Sequence, residues 1–314
     1  MSFNGLGVVV LTYGRGGQHR ALFDSLLAEG VAPEGVVVVH NPASAEEPDP
    51  AVPEGCEVVR SDRNRGYAGG MNLGIASWRR RGLGDGLLLL LTHDARLRRG
   101  ALSRLVEAAV RRPEYGVLAP VLMLGSDEPF SFGGLTSPSG RTSHLKLLPR
   151  ESDAGMLPCD WVDGGALLLR ASVLDRVGGF DERFWSYCEE SDLCLRVRRA
   201  GSRVGVVLDA VADQEPGGAK RPGVWSYLLT RNGMAYARRA AGLRGLAVVT
   251  ASNLLHLAVC LARVGARGLR LRQGGPAEPW ALAVGTGRGL LDYFRGRWGP
   301  PPSGLPGLGD VTNV

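Results

Sequence analysis

The sequence predicts an α/β protein wound on both faces of a mostly parallel sheet. Three observations predict it. Short runs of Val and Leu recur through the first third of the chain, apolar residues at helical spacing fill the gaps between them, and the runs end in polar residues. Uninterrupted apolar runs suit strands buried on both faces. Strand–helix alternation calls for a doubly wound sheet whose ligand site lies beyond the carboxyl ends of its strands.

In chain order, residues 7–13 form the first strand, which runs into the glycine-rich loop Gly14-Arg15-Gly16-Gly17. Leu22, Phe23, Leu26 and Leu27 then recur at helical spacing within 18–29. Residues 36–39, all valine, are a second strand closing on His40-Asn41-Pro42, and Val58-Val59 marks a third. A helix is expected over 69–81, followed by five leucines at 87–91 as a fourth strand closing on Thr92-His93-Asp94. Three strand ends thus carry polar residues, at Thr12, at His40-Asn41 and at Thr92-His93-Asp94, which is where a nucleotide would sit. Residues 98–112 read as a helix and 117–123 as a strand. Residues 128–151, polar and rich in Gly, Ser and Pro, read as loops or an edge hairpin. Gly164-Gly165 turns into a strand ending at Arg170, a short helix follows over 171–176, and 204–208 is the last strand of the domain.

The 314 residues suffice for one large α/β domain with an appendage or for two small domains, and 44% hydrophobic with 22% charged residues describes an ordinary folded protein. The net charge of +6 rests on arginine, since Lys146 and Lys220 are the only lysines. This bias fits a GC-rich coding sequence, and no basic stretch carries the interleaved aromatics of an RNA or single-strand DNA platform. No nucleic-acid partner is expected. The cysteines at 56, 159, 188, 194 and 260 form no C-x-x-C pair, which fits a reducing cytoplasm better than disulfides or structural zinc. The first residues lack a basic n-region, so no signal peptide is expected, and no internal repeat is present.

The chemistry concentrates between Phe180 and Arg196. Acidic residues Asp181, Glu182, Glu189, Glu190 and Asp192 interleave with aromatics at 180, 184, 185 and 187, just before a helical pattern over 193–200. A carboxylate beside apolar rings is harder to ionise, which moves its pKa toward the range useful to a general base. The plainer reading is an acidic first turn favourable to the helix macrodipole.

Several ordered motifs carry a resemblance. They are Val8-Val9-Val10-Leu11-Thr12-Tyr13; Asn64-Arg65-Gly66-Tyr67-Ala68-Gly69-Gly70-Met71-Asn72; the strand ending at Asp94; Phe180-Asp181-Glu182 through Asp192-Leu193; and Tyr227-Leu228-Leu229-Thr230-Arg231-Asn232. Over residues 6–240 the chain resembles the inverting family 2 glycosyltransferases with a GT-A fold, a Rossmann-like sheet flanked by helices, and especially their rhamnosyltransferase-like branch. The resemblance implies transfer of a hexose or deoxyhexose from a nucleoside-diphosphate sugar, dTDP-L-rhamnose being a common donor in that branch. The acceptor would be a hydroxyl of a glycan, a lipid-linked glycan or a small-molecule metabolite. Glu190 stands where such enzymes place their base, with Asp192 assisting and Glu189 as fallback. Thr12, Tyr13, Arg15, His40, Asn41, Asn64, Gly66, Gly69, Asn72, Thr92, His93, Gly164, Gly165 and Arg231 are the nucleotide-sugar candidates. Trp185, Tyr187 and Asp163 would meet the acceptor and the sugar hydroxyls. Asp94 and Asp213 would hold Mg²⁺ or Mn²⁺, since hard cations take oxygen ligands. Each has a structural reading too: a cap for Asp94, tight turns for the glycines, core packing for the aromatics and a salt bridge for Arg231.

Four positions depart from the family pattern. His40 replaces the Asp that ends the second strand, Thr92 replaces an acidic or amide residue two before Asp94, Glu190 replaces Asp, and Ala212-Asp213-Gln214-Glu215 lacks the usual His. The alternative they raise is a catalytically degenerate sugar- or nucleotide-binding protein on the same scaffold.

Residues 1–240 are therefore expected to form the transferase domain, 241–298 a helical appendage and 299–314 a disordered tail rich in Pro and Gly. Residues 225–239 are helical, and the eighteen residues at 245–262 contain no Asp, Glu, Lys or Arg, with Arg244 before them and arginines at 263, 267, 270 and 272 after. Eighteen is at the lower edge for a membrane span, and Thr250, Ser252, Asn253 and His256 weaken that reading. A helix lying on a membrane or packed on the domain fits better, and the flanking arginines point to the membrane. The expected location is the cytoplasm, peripheral at the inner face of the cell membrane.

Overall fold

The computed structural model describes residues 5–14, 19–43, 47–82, 86–125, 129–147, 155–215, 221–268 and 278–306. Arg15 and residues 307–314, named above in the first loop and the tail, lie outside them. The chain divides into two compact units, the first built from 1–135, 142–181 and 190–217, the second from 136–141, 182–189 and 218–314.

The first unit is a ten-stranded sheet in the order β10-β12-β6-β11-β4-β1-β2-β3, with β5 added to β12 and β7 to β6. Its parallel half consists of β1 (Leu6–Tyr13), β2 (Val36–Asn41), β3 (Glu57–Arg60) and β4 (Leu87–Thr92). β6 (Tyr115–Leu124) and β12 (Arg203–Gln214) are parallel to each other. β11 (Ala166–Arg170) runs antiparallel between β4 and β6. The three-residue strands β5 (Ala95–Leu97), β7 (Pro129–Ser131) and β10 (Met156–Pro158) are antiparallel additions. A two-stranded hairpin of β8 (Gly134–Thr136) and β9 (Thr142–His144) completes the strands.

The two-residue period of a strand sends alternate side chains to opposite faces, and the apolar runs supply both. Val9, Leu11, Leu88 and Leu90 enter one core with Met71, Ile75 and Trp78 of α2 (Gly66–Arg80), Leu174 of α4 (Ala171–Val177) and Leu193 of α5 (Glu189–Arg199). Val8, Val10, Leu89 and Leu91 enter the other with Leu22, Phe23 and Leu26 of α1 (His19–Ala28) and Leu102 and Leu105 of α3 (Ala101–Arg111). Each such side chain contributes about 1.5–3 kcal/mol on leaving water. Double winding thus follows directly from the valine and leucine runs.

Three elements differ from the sequence reading. α2 starts at Gly66, three residues earlier than the apolar spacing indicates, because Asn64 organises the turn before it. α5 starts at Glu189 instead of 193, so both glutamates sit in its first turn, where acidic side chains are favoured by the exposed N–H groups. β12 continues past residue 208 to Gln214 through a register shift between Val207 and Val211. That extension pairs Asp213 with Arg96 and Gln214 with Ala95.

In the second unit α6 (Pro222–Gly268) is broken at Gly242, whose φ of 66° and ψ of −152° are non-helical. α7 (Glu278–Phe294) packs on α6 through Met234, Ala237, Val249 and Leu290. The contact is close because a Cβ at Gly289 would lie 2.7 Å from the Tyr227 carbonyl oxygen. The 44-residue stretch Pro222–Gly265 is long and apolar enough to cross a membrane by length and composition, and only 17% of its most apolar window is buried.

Candidate active site

Strand register brings the polar strand ends of the first unit together. Thr12 pairs with His40 and Leu11 with Thr92, so the carboxyl ends of β1, β2 and β4 finish at one level. Thr12 is fully buried and donates to the Val39 carbonyl at 3.2 Å, while Tyr13 is half-buried beside Asn41. His93 is half-buried, its backbone N–H bound to the Leu11 carbonyl and its ring edge-on to His19 at 5.5 Å.

His40 is 2% exposed, and its ring nitrogens make no hydrogen bond of ordinary geometry among the described residues, the Glu47 backbone being a weak neighbour; His19 is also buried, with its Nε2 unpartnered. Burial lowers the pKa of both, helped by His93 and His40 at His19 and by Arg60 at His40, against a smaller upward pull from Glu47. A buried polar edge without a partner is uncommon and calls for a ligand or a cost. The sign for stability follows. In acid the unfolded chain takes a proton at the ordinary imidazole pKa while folded His40 resists it, so His40 costs stability as pH falls below about 6.5. His40→Gln should therefore gain melting temperature relative to wild type at pH 5.5 and not at pH 8, read by calorimetry. An equal difference at both pH values would contradict a neutral buried imidazole.

Asn41, Asn64 and Asn72 hold the backbone. Asn41 donates to Asn64 Oδ1 at 2.9 Å and accepts from the Arg65 N–H at 2.8 Å, while Asn64 accepts from the Gly66 N–H at 2.7 Å. Gly66, at φ 67°, opens α2, and Gly69 is buried within it. Asn72 clamps Phe180 from both sides, donating to its carbonyl at 2.9 Å and accepting from its N–H at 2.8 Å. Tyr67 donates its hydroxyl to the Gly164 carbonyl at 2.7 Å. A Cβ at Gly164 would stand 2.8 Å from that hydroxyl oxygen, so a side chain there would displace the Tyr67 ring. Gly165 accepts from the Thr92 N–H at 3.0 Å and lies against Gln214.

Asp94 is half-buried just past β4. Its Oδ2 accepts from Gln214 Nε2 at 3.0 Å, and its carbonyl from the Glu215 N–H. Asp213 has both oxygens on Arg98, at 2.7–3.1 Å. Among the described residues no group of three or more His, Cys, Asp or Glu is placed to hold a metal by itself. A single carboxylate with substrate phosphates is nonetheless an ordinary Mg²⁺ arrangement. Asp94, with one oxygen left over, fits that arrangement, whereas Asp213 would first have to leave Arg98.

Elsewhere in the same unit Glu190, Asp163 and His144 interact electrostatically. Glu190 keeps part of its surface exposed, and the desolvation of the rest pushes its pKa up to about 7; a backbone hydrogen bond opposes the rise and Asp163 adds to it. Burial raises Asp163 as well, while His144 and the Ser131 hydroxyl pull it back. His144 Nδ1 lies 3.4 Å from Asp163, and its ring packs edge-on to Trp161 at 4.8 Å. His144 was not among the candidates, because it sits in a polar stretch with no periodicity. Asp192 is fully buried and paired with Arg196 at 2.8 Å.

The second unit carries the segment that leads into Glu190. Trp185, Tyr187 and Cys188 adopt φ of 63°, 69° and 71°, a region non-glycine residues rarely occupy. Asn232, fully buried, donates to the carbonyls of Phe184, Ser186 and Tyr187 at 2.8–2.9 Å. Arg231, also fully buried, donates to Asn232 Oδ1, the Tyr227 hydroxyl and the Phe184 carbonyl. Burial lowers the Arg231 pKa while Tyr227 and Asp292 oppose the shift. The Tyr227 hydroxyl in turn donates to Asp292 Oδ2 at 3.1 Å. Trp185 packs against Val224, Tyr227 and Leu228, whereas Tyr187 is 41% exposed and Glu189 is buried.

Comparison with known proteins bears on the family and the fold. The family model described as glycosyl transferase family 2 matches residues 7–176, more than half of the chain. The chain is 28% identical over 223 residues to an N-acetylglucosaminyl-diphospho-decaprenol L-rhamnosyltransferase of Mycobacterium tuberculosis, covering 62% of this chain and 71% of the relative. It is 25% identical over 214 residues to a low-salt glycan biosynthesis hexosyltransferase of Haloferax volcanii, covering 67% of each. A 60-residue stretch, 19% of this chain and 23% of the relative, is 43% identical to the rhamnosyltransferase WbbL of Escherichia coli. Among solved structures, the mannosyltransferase PcManGT of Pyrobaculum calidifontis, in complex with GDP-Man and Mn²⁺, superposes with TM-score 0.50 at 14% identity, over 92% of this chain and 86% of that one. GalNAc-T7, solved with UDP, GalNAc and Mn²⁺, gives TM-score 0.51 at 13% identity over 72% of this chain, which spans about half of that larger protein (48%). The GT-A expectation for the fold holds.

Proposed function

Given that this chain belongs to glycosyl transferase family 2, we propose that it moves a hexose or deoxyhexose from a nucleoside-diphosphate sugar to an acceptor hydroxyl with inversion at the anomeric carbon. The names of the similar rhamnosyltransferases favour L-rhamnose as the sugar and a polyprenyl-diphosphate-linked glycan as acceptor, and the family resemblance favours dTDP as its carrier. The observation that carries the reading is the placement of Glu190. It stands in the first turn of α5, in the unit that also holds the polar strand ends, with its pKa pushed to about 7.

In the proposed reaction Glu190 takes the proton of the acceptor hydroxyl as that oxygen attacks the anomeric carbon and the diphosphate departs from the opposite side. A base poised near the working pH is the effective choice for such a transfer. Asp163 helps keep the Glu190 carboxyl basic, and His144 beside it favours the ionised form of Asp163. Buried neutral His40 offers a donor and an acceptor edge to the nucleobase. Asp94 would hold Mg²⁺ or Mn²⁺, which when bound supplies charge to the leaving diphosphate. Asp213 we assign to Arg98, and Arg231 to positioning the 184–187 segment. Asn41, Asn64 and Asn72 shape the loops the donor meets. The exposed apolar half of α6 would rest on the membrane that carries the acceptor, at its cytoplasmic face.

Release of nucleoside diphosphate from dTDP-L-rhamnose, UDP-sugars and GDP-sugars, measured with a lipid-linked acceptor, tests the reading. Wild type should turn over one donor and lose activity to EDTA. Asp94→Ala should lose about 10²–10³ in rate, the scale of removing one transition-state charge contact, and excess Mn²⁺ should not restore it. EDTA-insensitive wild-type turnover would refute the metal role. The degenerate-scaffold reading is favoured by the Asp213–Arg98 pairing and by Thr92; it predicts nucleotide binding with no turnover of any donor.

A further inference from the structure

A cavity of about 280 Å³ opens within the second unit, lined by Arg183, Arg238, Arg239, Phe184, Tyr293 and Trp298. Its volume is at the lower end of small-molecule sites. That is small for a whole nucleotide sugar and suits a headgroup. Its walls are fixed to one another. The Arg183 guanidinium lies over the Trp298 ring at 5.9 Å and that of Arg239 over Phe184 at 6.0 Å. Tyr293 and Trp298 pack edge-on at 5.9 Å, and the Gly299 N–H donates to the Arg183 carbonyl.

The charge around it is one-sided. Glu182, Glu189, Glu278 and Asp292 are the only carboxylates among the described residues of this unit, and its arginines outnumber them more than twofold. Asp292 is buried and engaged by Tyr227 and Arg288. Arg238 is exposed and makes no ion pair or hydrogen bond among the described residues. Guanidinium groups bind phosphate oxygens in paired, planar geometry.

Arg238 and Arg239 close the first half of α6, and the break at Gly242 follows at once. Beyond it Leu243, Leu254, Leu255 and Leu261 are exposed. A basic cleft whose Arg238 and Arg239 precede an exposed apolar helix in the chain matches a ligand that has an anionic head and a hydrocarbon tail.

We propose that this cleft binds the diphosphate of a membrane-anchored polyprenyl-diphosphate-linked acceptor, with the exposed half of α6 lying in the same membrane. The proposal rests on the transferase reading for the identity of the acceptor, and the cleft itself is assigned from its arginines and aromatic walls. The test is flotation of the full-length protein with three sets of vesicles: phosphatidylcholine alone, phosphatidylcholine with phosphatidylglycerol, and phosphatidylcholine with polyprenyl diphosphate at matched charge. Polyprenyl diphosphate should recruit the protein more strongly than matched phosphatidylglycerol, and soluble pyrophosphate should compete. Arg238→Ala should weaken that recruitment about fivefold, the effect of one arginine at an anionic surface, and Arg183→Ala with Arg238→Ala should weaken it further. Equal recruitment by both anionic vesicles would overturn the proposal in favour of general anionic-lipid attraction, as would unchanged recruitment of the double variant. Binding of dTDP, UDP and GDP is measured on the same proteins. Loss of nucleotide binding in wild type counts against the transferase reading, whereas intact nucleotide binding with no diphosphate preference counts against the cleft.

Discussion

Glu190→Gln should abolish sugar transfer while leaving donor binding intact. The amide keeps the size and position of the side chain but cannot accept the acceptor's proton, and general-base contributions run to about 10²–10⁴ in rate. The wild-type rate should rise with pH through about 7 as Glu190 ionises. Stability moves the other way. Folded Glu190 holds its proton up to about 7 whereas an unfolded glutamate releases it near 4.3, so its burial costs stability progressively across that window and fully above it. Glu190→Gln should therefore melt higher than wild type at pH 8 and much as wild type at pH 4. Near-normal turnover in this variant would remove Glu190 as the base, and a melting difference independent of pH would contradict its burial as a proton-holding acid.

Asn232→Ala should cost nearly as much without touching any substrate. Its amide binds three carbonyls of the 184–188 segment, and that segment holds three non-glycine residues in the left-handed region. Such conformations cost about 1–3 kcal/mol each and persist only where surroundings enforce them. Without Asn232 the segment relaxes toward ordinary backbone angles, and the chain entering Glu189 and Glu190 moves with it. Displacements of about 1 Å can cost 10²-fold in rate. The expected outcome is a kcat lowered about 10²-fold with donor Kd unchanged, together with faster tryptic cleavage after Arg183. A proportionate loss of donor binding, or a protease pattern identical to wild type, would show that Asn232 does something else.

Much of the sheet was legible because its strands are buried on both faces and so read as continuous apolar runs; β1, β2, β4 and β6 fall where the valines and leucines are. The strand ends were legible for the same reason, since polarity returns where burial stops. β5 and β10, at three residues each, are too short for any period to show. The extension of β12 depends on a register shift, which no composition signals. Asp94 and Glu190 stood out by motif, whereas His144 reaches Asp163 only through the way the loops fold. Arg231 and Asn232 were visible as a motif, but their engagement with the carbonyls of Phe184, Ser186 and Tyr187 depends on contacts more than forty residues apart in sequence. The left-handed residues 185, 187 and 188 gave no warning, because none of them is glycine.

The most direct test of the central claim is calorimetric titration of the purified protein with dTDP, UDP and GDP, each with and without Mn²⁺, on wild type and Asp94→Ala. The account predicts saturable binding of one nucleotide that Mn²⁺ strengthens in wild type and does not strengthen in Asp94→Ala. Binding of none of the three, with or without the cation, would contradict a donor site at the ends of β1, β2 and β4.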